Sequence, residues 1–183
     1  MSLLHGVGSG LGGSGDAGGA LGSFYSHTID QSVRLDSSSG AHFVNAAASP
    51  TATNRKKVTI SCWVKRAVLG SGVHTVFHGG AAGLMMQFGP TGADEIYLYQ
   101  SPWQIYKDQL LIRDPSAWYH FVLILDSTQS TDSNRAKFYI NGQQEDLTTW
   151  QVGSGAGRYP GLNVEFNWHT GTTQVIGSTG STD

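Results

Sequence analysis

Charge is scarce in this chain of 183 residues. Its 11 basic and 13 acidic side chains make up 13% of it, about half the usual share, and the formal net charge is −2. That balance offers no basic field to a phosphate backbone. The one cluster, Arg55-Lys56-Lys57, reads as a solvated loop before a strand, so no nucleic-acid partner is expected. Cysteine is nearly absent. Cys62 alone cannot form an internal disulfide, which removes the disulfide-stapled scaffolds and leaves a structural thiol as its expected role. No apolar run approaches the roughly 18 residues of a membrane span. The longest, Phe121 to Leu125, has the length of a strand, so no membrane insertion is expected. The first Lys or Arg is Arg34, and glycines interrupt the apolar residues ahead of it, so no secretory signal is expected either. Sustained helical periodicity is missing throughout.

What the chain has instead is small and polar. Gly, Ser and Thr together make 60 of the 183 residues, yet 39% of the chain is hydrophobic, enough for one domain with its own core. Short alternating runs carry that hydrophobicity. Val58, Ile60, Cys62 and Val64 alternate with Thr59, Ser61, Trp63 and Lys65, which predicts a half-buried strand. Residues 31–36 alternate too, before a Ser-Ser-Ser-Gly turn, and shorter strands are predicted over 73–78, 84–88, 95–100 and 174–176. In 118–126, Tyr119, Phe121, Leu123 and Leu125 form one apolar face while Trp118, Val122 and Ile124 sit on the other. This pattern predicts an inner strand covered on both sides. The run Lys137 to Ile140 enters Asn141-Gly142, a hairpin turn in which both residues tolerate positive φ. Short strands at spacings near ten residues predict an all-β, antiparallel β-sandwich.

Residues 1–22 stand apart, with nine glycines and one charged side chain, Asp16, and read as a flexible N-terminal arm ahead of a sandwich over 23–183. Gly8, Gly10 and Gly13 match a dinucleotide fingerprint, but no strand precedes them and no helix follows, so composition explains the match. Leu3, Leu4, Leu11 and Leu21 are the few side chains able to anchor the arm on a partner. The open alternatives are a passive linker and an arm that becomes ordered on docking.

The wording of 58–142 adds a resemblance. "VTISCWVKRAVLG" (58–70), "VFHGG" (76–80), "RDPSAWYHFVLILDSTQSTDSNRAKFYINGQ" (113–143) and "VIGS" (175–178) resemble the concanavalin-A-like, or laminin-G-like, jelly rolls. The stretch 114–135 looks particularly like the version found in bacteriophage virion proteins such as tail fibres and head-attached fibres. The resemblance implies a core role for Trp63 and Trp118. It also implies one more strand beyond the "IG" segment, near F-x-G-x-I/L-x-x-V, which this sequence lacks. A sandwich without that strand has an unpaired edge. Three alternatives stay open: a longer natural chain, residues 24–36 in the vacant place, or a neighbouring subunit there.

Related jelly rolls include glycoside hydrolases, which need two carboxylates roughly 5–5.5 Å or 6.5–9.5 Å apart. In the hydrolases of this fold the pair lies on one strand, as Glu-x-Asp-x-x-Glu. The three glutamates here, Glu95, Glu145 and Glu165, have no such spacing, and Glu145-Asp146 reads as a solvated pair after a turn. Adjacent Asp94 and Glu95 would point to opposite faces of a strand. His74 and His78 have a zinc-like spacing only on a helix; on a strand they stand about 13 Å apart. His120 reads as a packed, hydrogen-bonded residue, and no Gly-x-Ser-x-Gly elbow exists. No enzyme is expected, and no cofactor. Calcium sites occur in laminin-G-like domains, so Asp108, Asp114, Asp126 and Asp132 are the carboxylates to inspect, although no Asp-x-Asp loop is present.

Binding remains. Tyr97, Tyr99, Trp103 and Tyr106 cluster within ten residues beside Pro102, and aromatic rings with polar edges can stack on sugars. Packing against other chains, or simply covering the sandwich, is the plainer role for them. Trp150, Tyr159 and Trp168 are weaker candidates in loop-like sequence. The expectation is a virion structural protein: docked into the particle through its arm, associated with other virion proteins and its own copies (a trimer being the fibre-like symmetry), and displaying the sandwich to neighbouring subunits or a host glycan. A stand-alone carbohydrate-binding module or adhesin is the second expectation, and a glycoside hydrolase the third.

Overall fold

Alternation with a period of two is the only strong pattern in the sequence, and the chain folds on it. The computed structural model describes residues 32–33, 35, 43–45, 53–67, 69, 72–79, 83–89, 95–107, 112–168 and 174–177. The chain divides into Met1–Arg34 and Leu35–Asp183, and every element below belongs to the second unit. Residues 1–22, with Leu3, Leu4, Leu11 and Leu21, lie outside the described residues, as do the serine-rich turn after residue 36 and Asp108.

The strands are β1 (Phe43–Asn45), β2 (Lys57–Val64), β3 (His74–His78), β4 (Met85–Phe88), β5 (Ile96–Gln100), β6 (Trp103–Lys107), β7 (Tyr119–Asp126), β8 (Ala136–Ile140), β9 (Gln143–Gln144), β10 (Gln151–Val152) and β11 (Gln174–Ile176). They form two antiparallel sheets, seven strands in the order β1-β11-β3-β4-β5-β6-β10 and four in the order β2-β7-β8-β9. The sheets stack into a sandwich. Met86 and Phe88, Ile96 and Leu98, and Trp103 and Ile105 point inward from one sheet. Phe121, Leu123 and Leu125 with Ala136 and Phe138 point inward from the other. A column of rings crosses between them: Phe88 lies 5.9 Å from Phe121, Phe121 stacks on Phe138 at 5.8 Å, and Trp150 meets Phe138 edge-on at 5.6 Å.

The Asn141-Gly142 turn forms as predicted, with φ of 51° and 80°, and joins β8 to β9. Other expectations need correction. The central strand β7 is buried unequally on its two sides. Phe121, Leu123 and Leu125 are 1% exposed, but Val122 and Ile124 are half-buried on a face that looks outward. Trp118 is 46% and Trp63 36% exposed, so neither is a core residue. The reason is parity: Trp63 shares its side of β2 with Thr59 and Ser61, while Val58, Ile60, Cys62 and Val64 turn to the core. Of the strand predicted over 31–36, the described residues Ser32, Val33 and Leu35 take no part in a ladder. Phe43–Asn45 pairs with β11 on one side, and β3 pairs with it on the other.

Polar side chains hold the long connections where no ladder runs. Gln100 Nε2 donates to the Glu165 carbonyl at 3.0 Å, and its Oε1 accepts from the Asn167 N–H at 2.7 Å. Arg158 donates to the Leu147 and Trp150 carbonyls at 2.7 and 2.5 Å. Buried Arg66 donates to the Ile112 carbonyl and lies over the Phe88 ring, 4.8 Å from its centre. Unequal burial across β7 sets a contrast between neighbours. Phe121→Ala should cost about 3–5 kcal/mol in urea unfolding, whereas Val122→Ala, next to it on the outer face, should cost no more than about 1 kcal/mol. Equal losses would mean that the outer face is packed.

Candidate functional site

The outer face of the seven-stranded sheet collects the tyrosines. On β5, Ile96 and Leu98 are buried while Tyr97 and Tyr99 face the other way. Cross-strand pairing sets Tyr97 beside Tyr106 and Tyr99 beside Gln104, and continues the rows to Gln87, Met85 and Gln151. The Tyr97 and Tyr99 rings stack 5.9 Å apart at 13°, and the Tyr106 ring lies 6.4 Å from Tyr97. Gln87, almost fully buried, donates from Nε2 to Thr75 Oγ1 at 3.1 Å. The Gln104 amide lies over Gly153, where an added Cβ would come within 2.2 Å of it. Burial, and after it the neighbouring Tyr99, Glu95 and Tyr106, raise the Tyr97 phenol above its ordinary pKa, so it remains an O–H donor at neutral pH. Rings flanked by amides and hydroxyls make a surface that can stack on a sugar and hydrogen-bond its edge.

The fourth member predicted for this cluster does not join it. Trp103 is 3% exposed, and its Nε1 donates to the Arg158 carbonyl at 2.8 Å. It starts β6, a strand that the sequence analysis does not predict. The Ser101-Pro102 peptide is cis, in the turn between β5 and β6. The alternation in Trp103-Gln104-Ile105-Tyr106 was the signal that could have revealed this strand. It would also have separated Trp103 and Ile105 inward from Gln104 and Tyr106 outward. Trp150 is likewise a core ring at 1% exposure, and Trp168 packs edge-on to Phe77 at 5.6 Å.

Five of the described carboxylates are engaged in turns or ion pairs. Asp114, Asp126 and Asp146 each precede a Ser or Thr by two residues, and each folds back on it. Ser116 N and Oγ donate to Asp114 at 2.7 and 2.5 Å. Thr128 N and Oγ1 donate to Asp126 at 3.0 and 2.5 Å, and Thr148 N and Oγ1 donate to Asp146 at 2.9 and 2.6 Å. Asp126 also receives Gln129 Nε2 at 2.8 Å and pairs with Lys57 at 3.1 Å. Hydrogen bonds from these hydroxyls lower all three pKa values, the opposite of what a general acid at neutral pH needs. Glu145 pairs with Lys107 at 2.7 Å, so it is not the solvated residue expected, and Glu165 pairs with Arg55. Among the described residues no group of three His, Cys, Asp or Glu can hold a metal ion. Asp114, Asp126 and Asp132 sit in separate turns and do not form a calcium cage.

Other candidates are equally engaged. His120 Nε2 and Ser61 Oγ share a hydrogen bond of 2.9 Å, and the imidazole stacks on Trp63 at 4.9 Å and 18°. Burial pushes the Cys62 thiol up to about 11, far from a reactive thiolate at neutral pH. A shallow pocket of about 210 Å³ lies between Phe166 and Trp168 on one side and Lys57, Val58 and Thr59 on the other. Its flanking charges, Arg55 and Lys57, are already paired with Glu165 and Asp126.

Comparison with known families gives a match over two thirds of the chain. Residues 37–160 fit a laminin-G family model described as the concanavalin A-like lectin/glucanases superfamily. No curated protein matches the chain.

The lowered carboxylates fix the sign of the acid response. Their stabilisation is fully present above the ordinary carboxylate pKa of about 4 and is lost as pH falls through the lower folded values. The urea midpoint should therefore hold from neutral pH to about 5 and drop below about 4. Asp126→Asn should flatten part of that drop. An unchanged slope in that variant would show that Asp126 does not contribute.

Proposed function

The chain belongs to the concanavalin A-like lectin/glucanase superfamily, and from that premise we propose that it works by adhesion, holding a glycan on the Tyr97–Tyr99–Tyr106 face as a displayed domain of a bacteriophage virion. The observation that carries the reading is the stacked tyrosine ladder on the outer face of the seven-stranded sheet, bordered by Gln87, Gln104 and Gln151. Half-buried rings in a row along the strands, with amides beside them, suit stacking on the rings of a sugar chain. The superfamily contains both lectins and glucanases. The turn-bound, low-pKa carboxylates favour the binding branch, because hydrolysis requires one carboxyl to keep its proton at working pH. The virion setting rests on the wording of 114–135 and on the glycine-rich residues 1–22, which serve in this reading as the attachment segment.

A glycan array probed with the full chain tests the first part. Retained sugars should be lost about five- to tenfold with Tyr97→Ala or Tyr99→Ala, the worth of one stacking contact. Gly153→Ala, which displaces only the Gln104 amide, should weaken binding with little loss of stability. No retained glycan, or retention indifferent to both tyrosines, overturns the site. Release of reducing ends from a retained glycan would move the protein to the glucanase branch. Removal of residues 1–22 should abolish attachment to particles while leaving sugar binding intact, and a stand-alone module would show no particle binding in either form.

A further inference from the structure

The basic cluster Arg55-Lys56-Lys57 is not wholly solvated, since Arg55 and Lys56 are half-buried. Arg55 and Lys57 line the cavity of about 210 Å³ at the start of β2, together with Asn54, Val58 and Thr59, and Phe166 and Trp168 close its other side. No carboxylate is among those lining residues. Glu165 and Asp126, which pair with the two cations, stand outside the lining. The cavity wall is therefore positive, in a chain whose net charge is −2.

Hydrogen bonds hold both walls in place. The Phe166 N–H donates to the Arg55 carbonyl at 2.8 Å and ties one side to the other. Gln100 on β5 grips residues 165 and 167. The Ser127 N–H donates to the Lys56 carbonyl at 2.9 Å, and the Lys56 N–H donates to Asn54 Oδ1 at 3.0 Å. The two cations are held less tightly. Glu165 engages only Nη2 of Arg55, one corner of a fork with five donors, and its own side chain is 52% exposed. Such an exposed pair is worth little and exchanges readily. Lys57, 55% exposed, gives one of its three donors to Asp126, whose carboxylate is already served by Thr128 and Gln129.

We propose that this cavity binds one sugar ring that carries a carboxylate, such as a uronic acid unit of a glycan. The ligand's carboxylate takes the place of Glu165 on the Arg55 fork, with Lys57 as the second cation. The ring lies between the Trp168 and Val58 side chains, and Asn54 Nδ2 and Thr59 Oγ1 meet its hydroxyls. A volume of about 210 Å³ is below the roughly 300–1,000 Å³ of sites for drug-sized ligands, so it admits a single ring. An acidic peptide side chain would use the cations and leave the ring wall and the two polar groups without a role. The cavity lies at β2, in the four-stranded sheet, so the assignment stands apart from the reading given to the tyrosine face.

Isothermal titration of the full chain with glucuronic acid and, separately, with glucose tests this. The acid should bind in the millimolar range, at least about fivefold more tightly than glucose, and more weakly as salt is raised. Arg55→Gln and Lys57→Gln should each weaken it about three- to tenfold with an unchanged circular-dichroism spectrum. Glu165→Gln, which removes the competing carboxylate, should tighten it, and Tyr97→Ala should leave it unchanged. Equal binding of acid and glucose, binding of neither, indifference to both cation variants, a weaker complex with Glu165→Gln, or loss on Tyr97→Ala would each overturn the proposal. Acetate or an acidic peptide that binds as tightly as glucuronic acid would overturn it too, because the ring would then contribute nothing.

Discussion

The contact on which the molecule depends is the ring column between the sheets, Phe88 to Phe121 to Phe138 to Trp150. A strand can offer only alternate residues to a core, so fixing Phe121 inward fixes Tyr119, Leu123 and Leu125 with it and sends His120, Val122 and Ile124 out. Pairing then transmits that parity. Phe121 sets Cys62 on β2 and Ile140 on β8 through the ladder. On the other sheet Phe88 does the same for Ile96 and, through it, for β6. The tyrosine face and the exposed Trp63 are therefore consequences of the core, since shifting any of these strands by one residue would bury the tyrosines and expose the phenylalanines.

The two outer faces come out chemically unlike. The seven-stranded sheet carries tyrosines and glutamines, groups that both stack and hydrogen-bond. The four-stranded sheet carries Trp63, His120, Val122, Ile124 and Tyr139, with the Lys57–Asp126 pair at one end. Its own polar needs are met locally: Ser61 holds His120, and Tyr139 Oη donates to Gln144 Oε1 at 2.9 Å. Groups committed to one another have little hydrogen-bonding capacity left for a ligand, which is why the proposed sugar contact lies on the tyrosine face.

Most of the fold was legible because periodicity and turn chemistry are local. The strands β2, β3, β4, β5, β7 and β8 and the Asn141-Gly142 turn follow from short apolar runs, alternation and residues that accept positive φ. Three things were not legible. The short strands β1, β9 and β10 have two or three residues each, too few for any period to show, and only their neighbours in the sheet define them. The facing of Trp63 and Trp118 was misjudged by trusting a resemblance over parity, although the alternation with Thr59 and Ser61 already placed Trp63 outside. In the tyrosine cluster, Tyr97 and Tyr99 could be assigned a common face from one strand, but their union with Tyr106 and separation from Trp103 needed the β5–β6 pairing.

The acidic residues carry the same lesson into chemistry. Read as an inventory, Asp114, Asp126 and Asp132 suggested ligands for a cation; read as spacing, Asp114, Asp126 and Asp146 all stand two residues before Ser or Thr, the offset at which a side chain closes a turn on the backbone. Three of the described carboxylates build turns and two more pair with Lys107 and Arg55. What the seven-stranded sheet offers beside them is rings and amides, groups that suit broad and reversible contact. The proposed adhesive role rests on those groups acting together, so it depends on the parity that collects them on one face and not on one residue held at one pKa.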